Sequence, residues 1–338
     1  MKIRYIISFP FSMAVGGGGQ ITADILSHLK EKFECKPLDY DSKDIDFDTL
    51  IVFGFTFLNI HMLEFYKQKG VKVILYPIYD RMKSRLKMKL FKFLIKAPIM
   101  NIYSFRHDLL NSVDMVLVAN DSEKQDMIEI YDCNPNIIVC QKYCLNKDVF
   151  TKKETVSEDL FYDKYKIRDF VFCSAVVISK RKNQIALIKA LSNTGITLVL
   201  NNTHKIIDGL ETEFNESIKT NKNVLCLESM EQDMLISCYK NAKVNISVSN
   251  AETAGLVNLE AGLMGCNLVA SGLESHREYL GEYAIFVDQN NLEDIKKAVI
   301  LAYNTPKNLE TVNYIIKNYK WEGYIENLVN KISQIQKS

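Results

Sequence analysis

Residues 244–270 read VNISVSNAETAGLVNLEAGLMGCNLVA, and their pattern decides the fold. Val244 to Val248 is a short apolar run, Ser249 to Thr253 is polar, Leu256 onward carries apolar residues at helical spacing, and Asn267 to Ala270 is apolar again. Strand, loop, helix and strand in that order make one unit of a parallel sheet covered by helices. Seven residues separate Glu252 from Glu260, so the first sits in the loop at the helix entrance and the second on the helix near its start. Between them Ala254, Gly255, Leu256 and Val257 form the entering turn. Its backbone N–H groups have no intrahelical acceptor, and the positive end of the peptide dipoles lies there, so the turn suits a phosphate. Gly255 lets the backbone come close to such a ligand. The Glu260 carboxylate can accept two hydroxyl hydrogen bonds, as a sugar diol would offer.

Outward from this unit the same alternation repeats. The first half offers apolar runs at Ile3 to Phe9, Leu50 to Phe55, Val71 to Tyr76, Met115 to Ala119 and Ile137 to Cys140. The second half adds Phe170 to Val177, Ile196 to Leu200, Asn223 to Cys226 and Ile285 to Val287. Thr151 to Arg168, TKKETVSEDLFYDKYKIR, breaks the alternation and reads as a linker. Leu292 to Tyr303 and Tyr314 to Ile335 are amphipathic helical patterns. With 338 residues, two doubly wound α/β domains are expected, facing a central cleft lined by the carboxyl ends of their strands. The expected boundaries are 1–165, 166–319 and a terminal helix over 320–338.

Composition narrows the function. Lys and Arg total 42 against 41 Asp and Glu, so the overall charge does not call for nucleic acid. None of the eight cysteines forms a Cys-x-x-Cys pair, and several lie in apolar runs, which fits a reducing, cytoplasmic compartment. The N-terminal apolar run leads into Gly16 to Gly19 and the helical stretch Gln20 to Phe33, with Ile21, Ile25, Leu29 and Phe33 on one face. Strand, glycine turn and helix describe it better than a signal peptide.

Ser249, Glu252, Gly255, Leu256, Glu260, Ala261 and Gly265 together resemble the pattern of the retaining glycosyltransferases of the GT-B fold, family 4. Ser174 to Ala190, SAVVISKRKNQIALIKA, is similar to the first strand, basic turn and helix of that family's donor domain, with Lys182 and Asn183 as the matching pair. Ser271 to Asp288 resembles the next element, with Glu278 in the place of its acidic residue, and Trp321 stands at the start of the last helix, which in the family crosses back to the first domain. The resemblance implies a nucleotide diphosphate sugar held by Gly17, Gly18, Arg181, Lys182, Thr253, Ala254, Gly255, Leu256, Val257 and Glu260, with Glu252 and Lys182 as catalytic residues. It implies no metal and no cofactor. A lysine at a loop-to-helix junction supplies a point charge for a diphosphate that gains negative charge as the glycosidic bond breaks. The family's earlier basic residue is replaced here by Val176 and Val177, with Arg181 or Lys180 as substitutes.

The first half departs further. Tyr79 and Asp80 stand where His-Asp is common, leaving Asp80 as the acceptor-binding candidate. Lys142 to Phe150 agrees only loosely with another family signature. The run Arg81 to Lys96, RMKSRLKMKLFKFLIK, has Met82, Leu86, Leu90 and Phe93 at helical spacing among basic residues, which suits either peripheral contact with an anionic membrane or an ordinary solvated helix. The acidic run Asp41 to Asp48 precedes a strand and reads as a loop, not a metal site. The function implied is sugar transfer from a nucleotide sugar to a glycan or lipid-linked acceptor, as in bacterial-type surface polysaccharide or glycolipid assembly. A nucleotide-sugar epimerase of the same fold and an inactive sugar-binding scaffold are the alternatives.

Overall fold

The computed structural model describes residues 1–7, 17–42, 44–55, 59–78, 85–97, 99, 101–175, 177–201 and 203–337. Tyr79, Asp80 and 81–84 lie outside these, as does Gly16. The chain divides into two compact units, one of 1–143 with 322–338 and one of 144–321.

The first unit carries a parallel sheet of β1 (Lys2–Ile7), β2 (Glu34–Pro37), β3 (Thr49–Phe53), β4 (Lys72–Tyr76), β5 (Met115–Val118) and β6 (Ile138–Cys140), in the order β2-β1-β3-β4-β5-β6. Every residue of β3 is buried, and so is every residue of β5. Helices cover both faces of such a sheet, so its central strands read as unbroken apolar runs. Leu50, Val52, Val73, Leu75 and Val116 pack with Leu109 and Met127 on one face. Each such side chain contributes about 1.5–3 kcal/mol by leaving water. The helix Trp321–Lys337 gives all but its first residue to this unit. The Tyr324 and Tyr76 hydroxyls share a hydrogen bond of 2.8 Å, and Gln141 Nε2 donates to the Tyr324 carbonyl at 2.8 Å.

The second unit holds β7 (Phe170–Cys173), β8 (Leu198–Leu200), β9 (Val224–Cys226), β10 (Ala242–Ser247), β11 (Asn267–Ser271) and β12 (Ala284–Val287), all parallel, in the order β12-β11-β10-β7-β8-β9. The chain steps outward from β7 to β9 and then returns to β10 on the opposite side of β7. That reversal is a topological switch point, where the loops after two neighbouring strands part and leave a crevice at their carboxyl ends.

Several expectations need correction. The stretch read as a linker forms helices Lys147–Thr155 and Asp159–Tyr165. The Phe161 N–H donates to Ser237 Oγ at 2.9 Å and Asn241 Nδ2 donates to the Glu158 carbonyl at 2.6 Å, so these helices pack within the second unit and the division falls after Tyr143. Gly17, Gly18 and Gly19 open the helix Gly17–Lys32 instead of forming a turn. The pattern over 314–335 is broken at Tyr319 and Lys320 into helices Leu309–Asn318 and Trp321–Lys337. The basic segment is a short α-helix, Arg85–Leu90, continued by a 3-10 helix, Phe91–Lys96. The residue that faces the core is Met88, which is buried, while Leu86 and Phe93 are 71% and 66% exposed. Its charges are partly offset from another helix, with Lys89 on Glu129 at 2.5 Å and Lys92 on Asp132. In the acidic loop Asp46 pairs with Arg4 at 2.9 Å and with Lys2 at 3.4 Å, so its carboxylate is engaged by cations of β1. Among the described residues no helix is long and apolar enough to cross a membrane.

Candidate active site

The loops that leave β7 and β10 are laced together. The Asn250 N–H donates to the Arg181 carbonyl at 2.7 Å, Asn250 Nδ2 donates to the Lys180 carbonyl at 2.8 Å, and Arg181 Nη1 donates to the Ala251 carbonyl at 3.3 Å. Asn183 adopts a left-handed conformation with φ of 58°, which turns the chain into the helix Gln184–Ala190, and its Nδ2 donates to the Gln289 carbonyl at 2.8 Å. Asparagine tolerates that conformation better than most residues. Held this way, Lys182 Nζ reaches Glu252 Oε1 at 2.5 Å, and Arg181 Nη1 stands 3.5 Å from Glu252 Oε2. The side chains of Lys182 and Glu252 are only 13% and 10% exposed.

Burial alone pushes the Glu252 carboxyl upward. Lys182, then Arg181, outweigh it and hold the group below the usual glutamate range. The result is an ionised carboxylate in a largely dehydrated place, kept charged by two cations. Neither partner is cheap to remove, because a buried charge left alone keeps its desolvation penalty.

Three residues further along, Gly255 has φ of 65° and ψ of 46° and opens the helix Leu256–Leu263. An L side chain rarely adopts this conformation, and a Cβ here would lie 2.7 Å from His276 Nε2. Having no side chain, Gly255 offers no side-chain acceptor to the first-turn N–H groups, and its carbonyl accepts from the Asn258 N–H at 2.8 Å. Ala254 is buried beneath the turn, while Thr253, Leu256 and Val257 are half-buried around it. Gly265, with φ of 90°, ends the same helix and returns the chain to β11.

Glu260 lies one turn on and is half-buried, and the Tyr239 hydroxyl donates to its Oε2 at 3.4 Å. Tyr239 also shares a hydrogen bond with Ser174, directly after β7; burial first, and the Glu260 charge next, push its phenol well above the ordinary value. Both candidate carboxylates are therefore tied to the end of β7 by different routes, Glu252 through the Lys182 turn and Glu260 through Tyr239 and Ser174.

The structure thus brings Arg181, Lys182 and Glu252 into contact at the switch point and sets Thr253 to Val257 beside them in sequence and turn. Gly17 and Gly18 belong to the first unit, at the start of its first helix. Asp80 lies outside the described residues. Sequence reasoning missed the support beneath the site. Asn245, in the middle of β10, is fully buried, and its Nδ2 donates to Asn258 Oδ1 at 3.0 Å. His276 is fully buried with Nδ1 3.0 Å from the Ser271 carbonyl. The available signal was an asparagine between Val244 and Ile246, inside a strand.

Residues 160–321 match the family model described as Glycosyl transferases group 1. No curated protein matches the chain. Among solved structures, the chain is similar to a glycosyltransferase from Rickettsia africae ESF-5, with TM-score 0.73 and 14% identity over 99% of this chain and 98% of that one. It is also similar to a sucrose-phosphate synthase from Thermosynechococcus elongatus, with TM-score 0.73 and 11% identity over 99% of each chain. Anabaena HepE, solved in complex with UDP and glucose, gives TM-score 0.67 and 13% identity over 99% of this chain and 100% of that one. With the Rossmann-like order of its two parallel sheets, the chain is a glycosyltransferase of the GT-B fold, related through residues 160–321 to the group 1 glycosyl transferases.

Proposed function

We propose that the protein moves a sugar from a nucleoside diphosphate sugar to a glycan or lipid-linked acceptor with retention of anomeric configuration. The observation that carries this reading is the ion pair of Lys182 and Glu252, 2.5 Å apart and nearly dehydrated, at the switch point of the second sheet and beside a glycine-opened helix.

In this reading the donor diphosphate lies against the N–H groups of Gly255, Leu256 and Val257, with Lys182 and Arg181 supplying positive charge. As the glycosidic bond breaks, the departing diphosphate gains negative charge and a preoriented ammonium stabilises it without solvent rearrangement. Glu252 then faces the sugar as positive charge develops on its ring, and the acceptor hydroxyl attacks from the face the diphosphate leaves, its proton passing to the departing diphosphate oxygen. Glu260 holds a hydroxyl pair of the donor. The two cations and the helix start supply the charge for which other transferases use a metal. Gly17 and Gly18, at the start of a helix, are assigned to the donor as well, and Asp80 to an acceptor hydroxyl.

Leu86 and Phe93, exposed among Lys87, Lys89 and Lys96, support a peripheral membrane contact suited to a lipid-linked acceptor. Each basic residue near an anionic surface contributes about 1 kcal/mol. Binding to phosphatidylglycerol vesicles should be lost when Lys83, Lys87 and Lys89 are reversed to Glu; binding that survives removes the membrane assignment.

A thermal-shift panel of UDP, GDP, ADP and CMP sugars tests the donor assignment. A ligand at 100 times its dissociation constant stabilises by about 2.7 kcal/mol. The matching donor should raise the melting temperature of the native protein and leave Lys182→Ala unmoved, whereas no shift with any nucleotide sugar would overturn the reading.

A further inference from the structure

Beneath the candidate site the second unit carries a brace made by residues 271–276, which run from the last residue of β11 into the helix Glu274–Leu280. Ser275 Oγ donates to the Glu252 backbone carbonyl at 2.7 Å. Next to it, the ring of His276 lies against the α-carbon of Gly255: a Cβ at that position would meet Nε2 at 2.7 Å and Cδ2 at 2.9 Å, with Asn258 Nδ2 at 3.0 Å on another side. The two ends of the loop from Glu252 to Gly255 are therefore held by consecutive residues of one segment.

The His276 ring is itself fixed. Its Nδ1 is 3.0 Å from the Ser271 carbonyl and 3.1 Å from Ser271 Oγ; the carbonyl can only accept, so the tautomer that satisfies it has the proton on Nδ1. Nε2 is then a bare acceptor, fully buried and without a hydrogen-bond partner among the described residues, and Asn258 Nδ2 is likewise an unpartnered buried donor. Two unsatisfied polar groups converging on a glycine are costly for stability alone, and an apolar residue of similar volume would avoid the cost. Their retention at this place fits a geometric task. The flat ring fills the space a side chain at 255 would need, and any rotation of it would free the left-handed turn.

We infer that Ser275 and His276 are positioning residues for the donor site, holding the Glu252 carboxylate and the Gly255 turn in the mutual geometry that a sugar diphosphate requires. The inference rests on the donor assignment proposed above. A displacement of about 1 Å in such a constellation can cost on the order of a hundredfold.

The test measures dissociation constants for UDP, GDP and ADP by titration calorimetry, taking the tightest binder. The variants are Ser275→Ala, His276→Ala and, as a core control at the buried end of the helix Leu256–Leu263, Leu263→Ala. With the matching sugar nucleotide, donor KM and kcat are read as well. Ser275→Ala and His276→Ala should weaken nucleotide binding roughly tenfold or more and raise donor KM, while Leu263→Ala lowers the melting temperature but keeps the dissociation constant within about twofold when assayed below its transition. Should His276→Ala not fold, Ser275→Ala, which removes one hydroxyl, decides alone. Nucleotide binding within twofold of the native protein in the folded brace variants overturns the inference. If Lys182→Ala also binds normally, the donor assignment has failed; if it does not, the brace alone has.

Discussion

Replacing Glu252 by Gln keeps the shape of the side chain and removes its charge, which isolates what the ion pair does. Breaking a buried pair by neutralising one partner costs about 3–5 kcal/mol. Here the amide still offers an oxygen to Lys182, and the 13% exposure of the lysine lets it recover some hydration, so about 2–3 kcal/mol is expected. For a domain of about 150–250 residues each kcal/mol moves the melting temperature by about 2–4 °C, which gives a fall of roughly 4–12 °C. The ligand response should go the other way. In the native protein an arriving diphosphate competes with Glu252 for Lys182 and Arg181, whereas in Glu252→Gln those cations are unopposed. The nucleoside diphosphate should therefore bind Glu252→Gln at least as tightly as the native protein and stabilise it more, while sugar transfer drops by about 100-fold or more. Differential scanning fluorimetry with and without nucleotide, alongside a transfer assay, reads both. If Glu252→Gln loses nucleotide affinity to the same extent as Lys182→Ala, the two side chains do not compete for one anion and the reasoning fails.

Gly255→Ala should destabilise by about 1–3 kcal/mol, because it combines a positive φ with a Cβ 2.7 Å from His276 Nε2; a melting temperature equal to that of the native protein would mean that the turn relaxes freely. Tyr76→Phe and Tyr324→Phe should each cost about 1–2 kcal/mol in urea unfolding, since each removes the buried hydrogen bond between the two hydroxyls, and the double variant should cost less than their sum. The folded-state pKa of Glu252 is depressed, so its stabilisation is complete above the ordinary value of 4.5 and is lost as pH falls through the lower folded value; native and Glu252→Gln stabilities should converge there. Burial, opposed by Glu252, depresses His276, so its contribution is complete above the ordinary 6.5 and declines on acidification below it, and urea midpoints should fall over that window. Incubation with the matching sugar nucleotide and no acceptor should leave its sugar configuration unchanged by NMR; an epimerised donor would select the alternative reaction.

Each of the eleven apolar runs read as strands overlaps one, because a parallel sheet buried on both faces demands continuous apolar residues that stand out locally. The missing one, β2, reads Glu34, Cys35, Lys36, Pro37 and buries only its cysteine, as an edge strand can. The helices over 147–165 are not legible in the sequence because what anchors them lies far along the chain: Ser237 Oγ accepts from the Phe161 N–H, and Lys240 Nζ donates to the Lys153 carbonyl at 2.7 Å. The same division runs through the site. The spacing from Glu252 through Gly255 to Glu260 is local, set by one loop and one helix, and the chain alone determined it. The pairing of Glu252 with Lys182, 70 positions earlier, depends on β10 returning to lie beside β7, and the brace from His276 depends on β11 lying next to β10. No periodicity records such neighbours, since they are chosen by which strands close the core together, and only the tertiary structure decided them.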